Sequence, residues 1–193
     1  MRLRPGALIV LEGIDRSGKS TQRTALQALD WSDPKPLFTH LPSGVTETTK
    51  ATYRLLEEHR LASDLSRQLF HLACHAENLP TLRMALKERG IVLDRWWWST
   101  IAYGWYGGLK GRVEKDSFFG AVDMVWRGVD ADLIFLFLSP HAEDKNNADS
   151  ITAGYEFLRS RDSARTVLVP QRSSEQTTEF IVSELRSHGL VNG

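Results

Sequence analysis

The sequence predicts an α/β fold of three layers, a five-stranded parallel sheet with helices on both faces and a short lid, formed by residues 1–193 as a single domain. Three observations carry the prediction. Strand-like and helix-like segments alternate from end to end. The strand-like segments are short, unbroken apolar runs, the mark of strands buried on both faces. A glycine-rich loop joins the first of these runs to a helix, the arrangement that needs a parallel strand and a right-handed crossover.

Each element has its own signal. Ala7–Glu12 (ALIVLE) is a buried strand that ends in the glycine loop, and Gly18–Leu29 follows as a helix. Pro36–Thr39 is a weaker strand and Glu47–Glu58 a second helix. Ser63 and Asp64 offer a cap for the longest helix, where Leu65, Leu69, Leu72, Ala76 and Leu79 recur as a core-facing stripe. Pro80 should bend or interrupt that helix, which resumes to Arg89 and stops at Gly90. Ile91–Leu93 is a buried strand ending at Asp94; Ser99–Tyr106 and Glu114–Arg127 are helical. Leu133–Leu138 (LIFLFL) is the cleanest strand, and the polar stretch Pro140–Ser150 is a loop or short lid. A helix to Arg161, a strand at Thr166–Val169 and a helix at Glu175–Ser187 complete the chain. In such sheets ligands sit at the carboxyl ends of the strands.

Composition narrows the function. Apolar residues make up 41% and charged residues 25% of 193, an ordinary globular mixture. Lys plus Arg equals Asp plus Glu at 24 each, which argues against a DNA-coating protein while leaving room for a local basic groove. Cys74 is the one cysteine, so an internal disulfide and a cysteine zinc cluster are excluded and a reducing compartment is expected. No apolar run approaches the ~18 residues of a membrane span. Met1–Pro5 runs straight into a strand without the apolar stretch of a secretory signal, so a cytoplasmic setting is expected, host cytoplasm if the protein is viral.

Gly13-Ile14-Asp15-Arg16-Ser17-Gly18-Lys19-Ser20 matches G-x-x-x-x-G-K-[ST] at every fixed position, between a predicted strand and a predicted helix. Its glycines let backbone N–H groups turn inward around a phosphate, at the positive end of the next helix. Lys19 would reach the β/γ oxygens of ATP and Ser20 would ligate Mg²⁺. Asp94-Arg95 ends the third strand on the same rim. A carboxylate there can hold the metal's water shell or orient an acceptor hydroxyl, and Arg95 can neutralise the acceptor or the moving phosphoryl group. Asp94 as a helix cap beside a surface arginine is the plainer alternative. Asp15 and Arg16, inside the loop, are expected to point toward the γ-phosphate region.

Leu11 to Gln22, including Thr21 after the cradle, resembles the opening of thymidylate kinases, which belong to the P-loop kinases. Asp94-Arg95 with Ser99, Ala102 and Tyr103 resembles that family's D-R-[YW]-x-x-S-x-x-A-Y segment; Asp132-Leu133, Glu77 and Pro80 also fit. The resemblance covers most of the chain. It implies a five-stranded parallel sheet, ATP and Mg²⁺, a thymidine-like acceptor near Tyr103, and often a homodimer.

The departures concern the acceptor. The family's R-E-P or R-F-P turn, whose Arg grips the acceptor phosphate, reads His40-Leu41-Pro42. The family's base-reading Arg on the long helix falls at Cys74 or His75, depending on whether Phe70 or His71 stands for its ring-stacking Phe. The segment Pro140–Tyr155 contains Lys145 but no Arg, so Arg16 is a candidate replacement for a lid arginine. A neutral hydroxyl acceptor needs no cationic grip but does need a carboxylate. A thymidylate-kinase-like chain with these properties resembles the bacteriophage kinases that phosphorylate the hydroxymethyl group of 5-hydroxymethyluracil in DNA during thymidine hypermodification. That is the expected function, with dTMP kinase or another nucleoside or nucleotide kinase as the alternative.

The aromatic run Trp96, Trp97, Trp98, Trp105 and Tyr106, with Lys110 and Arg112 behind it, reads either as stacking platforms for bases or as core filling. His71 and His75 lie one helical turn apart without a third metal ligand, which favours a base or phosphate contact over a metal site. Gln171 and Arg172 stand where related kinases pack on adenine, in competition with a helix start at Ser173 and Ser174. A GTPase would carry an N-K-x-D motif, which is absent. A kinase explains the cradle, Asp94-Arg95 and the long helix together.

Overall fold

The computed structural model describes residues 1–144 and 146–192; Lys145 lies outside the described residues. Five parallel strands form the central sheet: β2 (Leu8–Gly13), β3 (Leu37–His40), β4 (Ile91–Asp94), β5 (Leu133–Phe137) and β6 (Thr166–Leu168), in the order β3-β4-β2-β5-β6. A two-stranded clasp that the sequence did not signal, β1 (Arg2–Leu3) against β7 (Val191–Asn192), joins the two chain ends. Two residues per strand are too few to leave an alternation.

Successive residues of β2 point to opposite faces, and both are covered. Leu8 and Val10 enter a core with Leu72, Leu79, Trp96, Trp98 and Tyr155. Ile9 and Leu11 enter the other, with Leu26, Phe135, Ile181 and Leu185. The second face is closed by α1 (Lys19–Gln27) and α7 (Ser174–Ser187), and the first by α3 (Asp64–Glu88), α5 (Lys115–Trp126) and α6 (Asp149–Arg161). The remaining helices are α2 (Glu47–Glu58) and α4 (Trp97–Ser99), the latter running directly into the π-helical turns Thr100–Leu109.

Register sets the site. Leu11 pairs with Asp94, His40 pairs with Asp94, and Gly13 pairs with Phe137, so the carboxyl ends of β2, β3, β4 and β5 finish on one rim. From β2 the chain crosses to β3, returns to β4 beside β2, and only then crosses to β5 on the other side of β2, a reversal of direction that opens a crevice at that rim.

Two expectations for α3 are corrected. Leu69 is 52% exposed and Ala76 is exposed, so the buried stripe is Gln68, Leu72, His75, Asn78, Leu79, Leu82 and Ala85. Three of these are polar, which is why an apolar pattern misplaced the face. Pro80 does not interrupt the helix, which is continuous from Asp64 to Glu88. Pro80 and Ala76 sit on the exposed face, where water can take the carbonyl that Pro80 cannot bond. Gly90 is no left-handed stop; a side chain there would meet Leu3 at 2.4 Å. Ser63 does cap α3, accepting from the Ser66 N–H, and Ser173 caps α7 through a reciprocal box with Gln176.

Candidate active site

The cradle's shape begins with Gly13. Its φ is +133°, and a Cβ there would lie 2.0 Å from the Phe137 carbonyl oxygen. Only glycine lets β2 pass so close to β5 as it turns out of the sheet. The Ile14 N–H then donates to that same carbonyl at 3.0 Å. Ser17 Oγ donates to the Ile14 carbonyl at 2.7 Å, and Gly18, at φ +95°, opens α1. No side chain caps α1 and no acidic residue occupies its first turn. Its N–H groups are therefore available to an anion.

Lys19 is buried, its Nζ donating to the Ile14 carbonyl and lying 3.3 Å from Ser17 Oγ. Burial, reinforced by the nearby Arg95 cation, lowers its pKa from 10.5 to about 7. Ser20 Oγ donates to Asp94 Oδ2 at 2.7 Å. The other oxygen, Asp94 Oδ1, is buried and has no hydrogen-bond partner. An orphaned carboxylate oxygen beside a hydroxyl, at the mouth of an anion cradle, fits Mg²⁺ held mainly through nucleotide phosphates and water. Among the described residues no cluster of three or more His, Cys, Asp or Glu could hold a metal by itself.

Two cavities flank the cradle. One, of about 360 Å³, is lined by Ser17, Gly18, Thr21, Gln171 and Arg172, with Ser173 and Ser174 at its edge. Gln171 and Arg172 line this cavity, and Ser173 caps α7 as the competing helix-start reading expects. Gln22 fastens the cavity wall, donating to the Ser174 carbonyl at 3.0 Å and accepting from Thr178 Oγ1 at 2.8 Å.

The other cavity, of about 750 Å³, opens between Asp15 and Arg95 on the cradle side and His71, His75 and Arg67 on α3. Asp15 and Arg95 form an ion pair, and Tyr103 lies beneath it: its hydroxyl accepts from the Asp15 N–H at 2.8 Å and its ring faces the guanidinium at 5.2 Å. Burial would weaken the Arg95 cation, but the oxygens of Tyr155 and Asp15 more than offset it and raise its pKa. Arg95 keeps its charge at any working pH. Its φ of +71° is left-handed, a sparsely populated conformation for a side-chain-bearing residue.

The helical register on α3 is now decided. His71 and His75 face the cavity; Phe70 is 41% exposed and turned away, and Cys74 is buried outside the cavity wall. Both histidines are neutral. Burial, then the Arg67 cation, lowers His71 to about 4, and burial lowers His75 to about 3. His75 Nε2 is 3.3 Å from Thr100 Oγ1, its Nδ1 has no partner, and its ring packs edge-on against Trp126. His40, beside Asp94 in the sheet, is also held near 4 by burial, with Nδ1 3.0 Å from Ser43 Oγ. Leu41 and Pro42 line the cavity while His40 does not. None of the three histidines supplies the positive charge that the missing arginines would.

Arginine is nonetheless present. Arg60 and Arg67 line the cavity with Arg95. Arg67 lies four residues before His71 on the same helical face, a spacing that could have identified it. Arg16 departs from expectation: its side chain is 61% exposed and pairs with Asp144 Oδ2 at 3.0 Å, outward from the cavity. The loop after β5 therefore rests on the cradle. The His141 N–H donates to the Arg16 carbonyl at 2.9 Å, and Asn147 bonds both the N–H and the carbonyl of Asp15, each at 2.8 Å. Nothing local in the sequence marks Asn147.

Trp96, Trp98 and Trp105 are all core residues, as the core-filling reading expects, although Trp96 also lines the cavity beside Arg95; Trp97 is half-buried and lines a separate cavity behind. Glu12, absent from the expected site residues, is fully buried beneath the site and accepts hydrogen bonds from Trp96 N, Ser99 N, Ser99 Oγ and Tyr155 Oη.

A phosphate cradle on the central strand, a buried Asp94 with half-buried Arg95 at the end of the adjacent strand and a cavity on each side define a P-loop kinase. Comparison with known proteins names the branch. The thymidylate kinase family model matches residues 11–148, and the chain belongs to that family. It is 35% identical over 105 residues to human thymidylate kinase, a match spanning 53% of this chain and 50% of the human protein. Over 200 residues it is 30% identical to thymidylate kinase from Gluconobacter oxydans (strain 621H), covering 93% of this chain and 92% of that protein. Among solved structures, thymidylate kinase from Ehrlichia chaffeensis superposes with a TM-score of 0.79 at 22% identity, over 95% of this chain and 100% of that one. No helix of the described residues is long and apolar enough to cross a membrane.

Proposed function

We propose that residues 1–193 act as one domain that transfers the γ-phosphoryl group of ATP to the 5′-phosphate of dTMP, giving dTDP and ADP. The observation that carries this reading is the Asp15–Arg95 ion pair over Tyr103, set between the cradle and the acceptor cavity. A monophosphate is already an anionic nucleophile, so the site must bring two anions together rather than remove a proton. Arg95 is a permanent cation at the junction, and Arg67 and Arg60 add charge elsewhere on the cavity wall. The expectation of a base hydroxymethyl acceptor in DNA rested on missing arginines, and Arg60 and Arg67, which it did not count, weaken that premise. The family relationship adds support for dTMP.

The candidate residues at the cradle and in the cavity wall have roles within this reading; His40, Phe70 and Cys74, which do not line the cavity, have none. The N–H groups of Gly13 to Ser20, with Ile14, Ser17 and Gly18 setting the loop's shape, bind the β- and γ-phosphates, and Lys19 binds their oxygens. Ser20 and Asp94 would hold Mg²⁺, which would supply neutralisation of phosphate charge. Thr21, Gln171 and Arg172 face the donor. Asp15 aligns Arg95 and faces the acceptor sugar, Tyr103 floors that position, His71 offers a ring face to the base, and neutral His75 offers its free Nδ1 to the base edge. Arg16 is a candidate only after its contact with Asp144 opens.

The test is transfer of labelled phosphate from ATP with dTMP and hydroxymethyluracil-containing DNA offered side by side. Label in dTMP is the expected result. Label in the DNA alone would refute it and return the acceptor to a base hydroxyl.

A further inference from the structure

Glu12 is the least explained group near the site. A buried carboxylate is costly unless its oxygens are bonded. This one has partners on α4, with its N-cap, on α6 and in the cradle: Trp96 N at 2.7 Å and Ser99 N at 3.0 Å to one oxygen, Ser99 Oγ at 2.7 Å, Tyr155 Oη at 3.1 Å and Gly13 N at 3.3 Å to the other. Glu12 itself belongs to β2, one residue before Gly13 of the cradle. Ser99 ends α4, and Tyr155 sits on α6, which follows the loop resting on the cradle.

Two connections run from this carboxylate to Arg95. The first passes through side chains. Arg95 Nη1 donates to Ser99 Oγ at 3.0 Å, and that hydroxyl also meets Tyr155 Oη at 2.9 Å. The second passes through the backbone. Arg95 is left-handed, a strained conformation for a residue with a side chain, which persists only where the surroundings demand it. The Arg95 N–H is taken by the Leu11 carbonyl at 2.9 Å, and the next N–H, of Trp96, is taken by Glu12. Glu12 thus holds the residue on one side of the strained position, and the β2 backbone holds the position itself.

We propose that Glu12 is a positioning residue which, through Ser99 and Tyr155, holds the Arg95 guanidinium at the acceptor cavity and couples its orientation to the cradle and to α6. The proposal rests on the phosphoryl-transfer reading for its kinetic consequence but not for its structural one. A carboxylate that only capped α4 would need the two backbone contacts, not the Ser99 and Tyr155 hydroxyls that lead to Arg95.

The experiment compares Tyr155→Phe, which deletes one hydroxyl from a core ring, with Glu12→Gln. Both are made alone and in an Arg95→Ala background. In the Arg95-containing protein, Tyr155→Phe should lower kcat/KM for the acceptor about tenfold, the effect of one hydrogen bond in a charged network, with the KM for ATP unchanged. In the Arg95→Ala background the same change should have no further effect. The same loss in both backgrounds, or none in either, overturns the proposal. A second readout needs no acceptor: the Arg95 Nη–H resonances of ¹⁵N-arginine-labelled protein, assigned by their loss in Arg95→Ala. They should be distinct in the parent and averaged by rotation in Tyr155→Phe and Glu12→Gln. Unchanged resonances in both folded variants overturn the proposal whatever the acceptor. Averaged resonances in a protein whose parent phosphorylates neither dTMP nor DNA would support the positioning and refute the function reading instead.

Discussion

Nucleotide binding should draw a proton from solution, and Lys19 should be where it goes. In the ligand-free protein this lysine is buried, faces a carbonyl and a hydroxyl, and shares its surroundings with the Arg95 cation. Its pKa of about 7 against an ordinary 10.5 means that charging it costs about 5 kcal/mol more than in water, at ~1.36 kcal/mol per unit. A polyphosphate in the cradle reverses the balance, because an adjacent anion favours the ammonium form. At pH 8 the free site is about one-tenth protonated and the bound site nearly fully so, an uptake of about 0.9 proton; at pH 6 the uptake falls to about 0.1. Titration calorimetry with Mg²⁺·ATP at both pH values, in buffers of different ionisation enthalpy, reads this number directly. Uptake at pH 8 no greater than at pH 6 would refute the reasoning, for Lys19 would then be charged before the nucleotide arrives. The same shift sets the sign of a stability trend. Between pH ~7 and ~10.5 the unfolded chain retains a proton that the folded one has released, so this group makes the ligand-free protein more stable as pH rises.

Other consequences can be checked separately. Asp94→Asn keeps the size of the residue next to Ser20 but removes the orphaned anionic oxygen; turnover should fall at least ~100-fold while metal-free nucleotide affinity changes less than about threefold. Persistent turnover would remove Asp94 from the metal site. His71→Phe replaces a neutral imidazole in the acceptor wall with a larger apolar ring and should lower the KM for dTMP several-fold, about 1 kcal/mol of stacking, with the KM for ATP unaffected. Gly13→Ala drives a methyl group into the Phe137 carbonyl at a positive φ, and the thermal midpoint should drop by an amount equivalent to at least about 3 kcal/mol. A variant as stable as the parent would mean that β2 and β5 can separate at the rim.

The parts of the site legible in the sequence were those whose chemistry is local. The cradle residues from Gly13 to Ser20 are consecutive, and the geometry follows from glycine positions within one loop. Asp94-Arg95 was legible because a strand ending in a charged pair must present it at a rim. The acceptor wall was not. Phe70 against His71 and Cys74 against His75 are choices between neighbours on one helix, and the buried face of α3 includes Gln68, His75 and Asn78. A search for apolar periodicity therefore turned the helix toward Leu69 and Ala76, which are exposed. Arg16 was misdirected for a related reason, since its partner Asp144 lies 128 residues away.

The sheet, its parallel strands, the phosphate cradle and the class of chemistry follow from local pattern in the chain, because short-range sterics and burial periodicity decide those features. Which charges surround the cavity beside Arg95, and what holds them, depends on tertiary packing. The neutrality of three histidines arises from burial that only the folded chain creates. The Glu12–Ser99–Tyr155 support beneath Arg95 joins residues 87 and 143 positions from Glu12. Hydrogen bonds over such separations leave no spacing in the chain, because their geometry is set by the packing of the sheet against its helices.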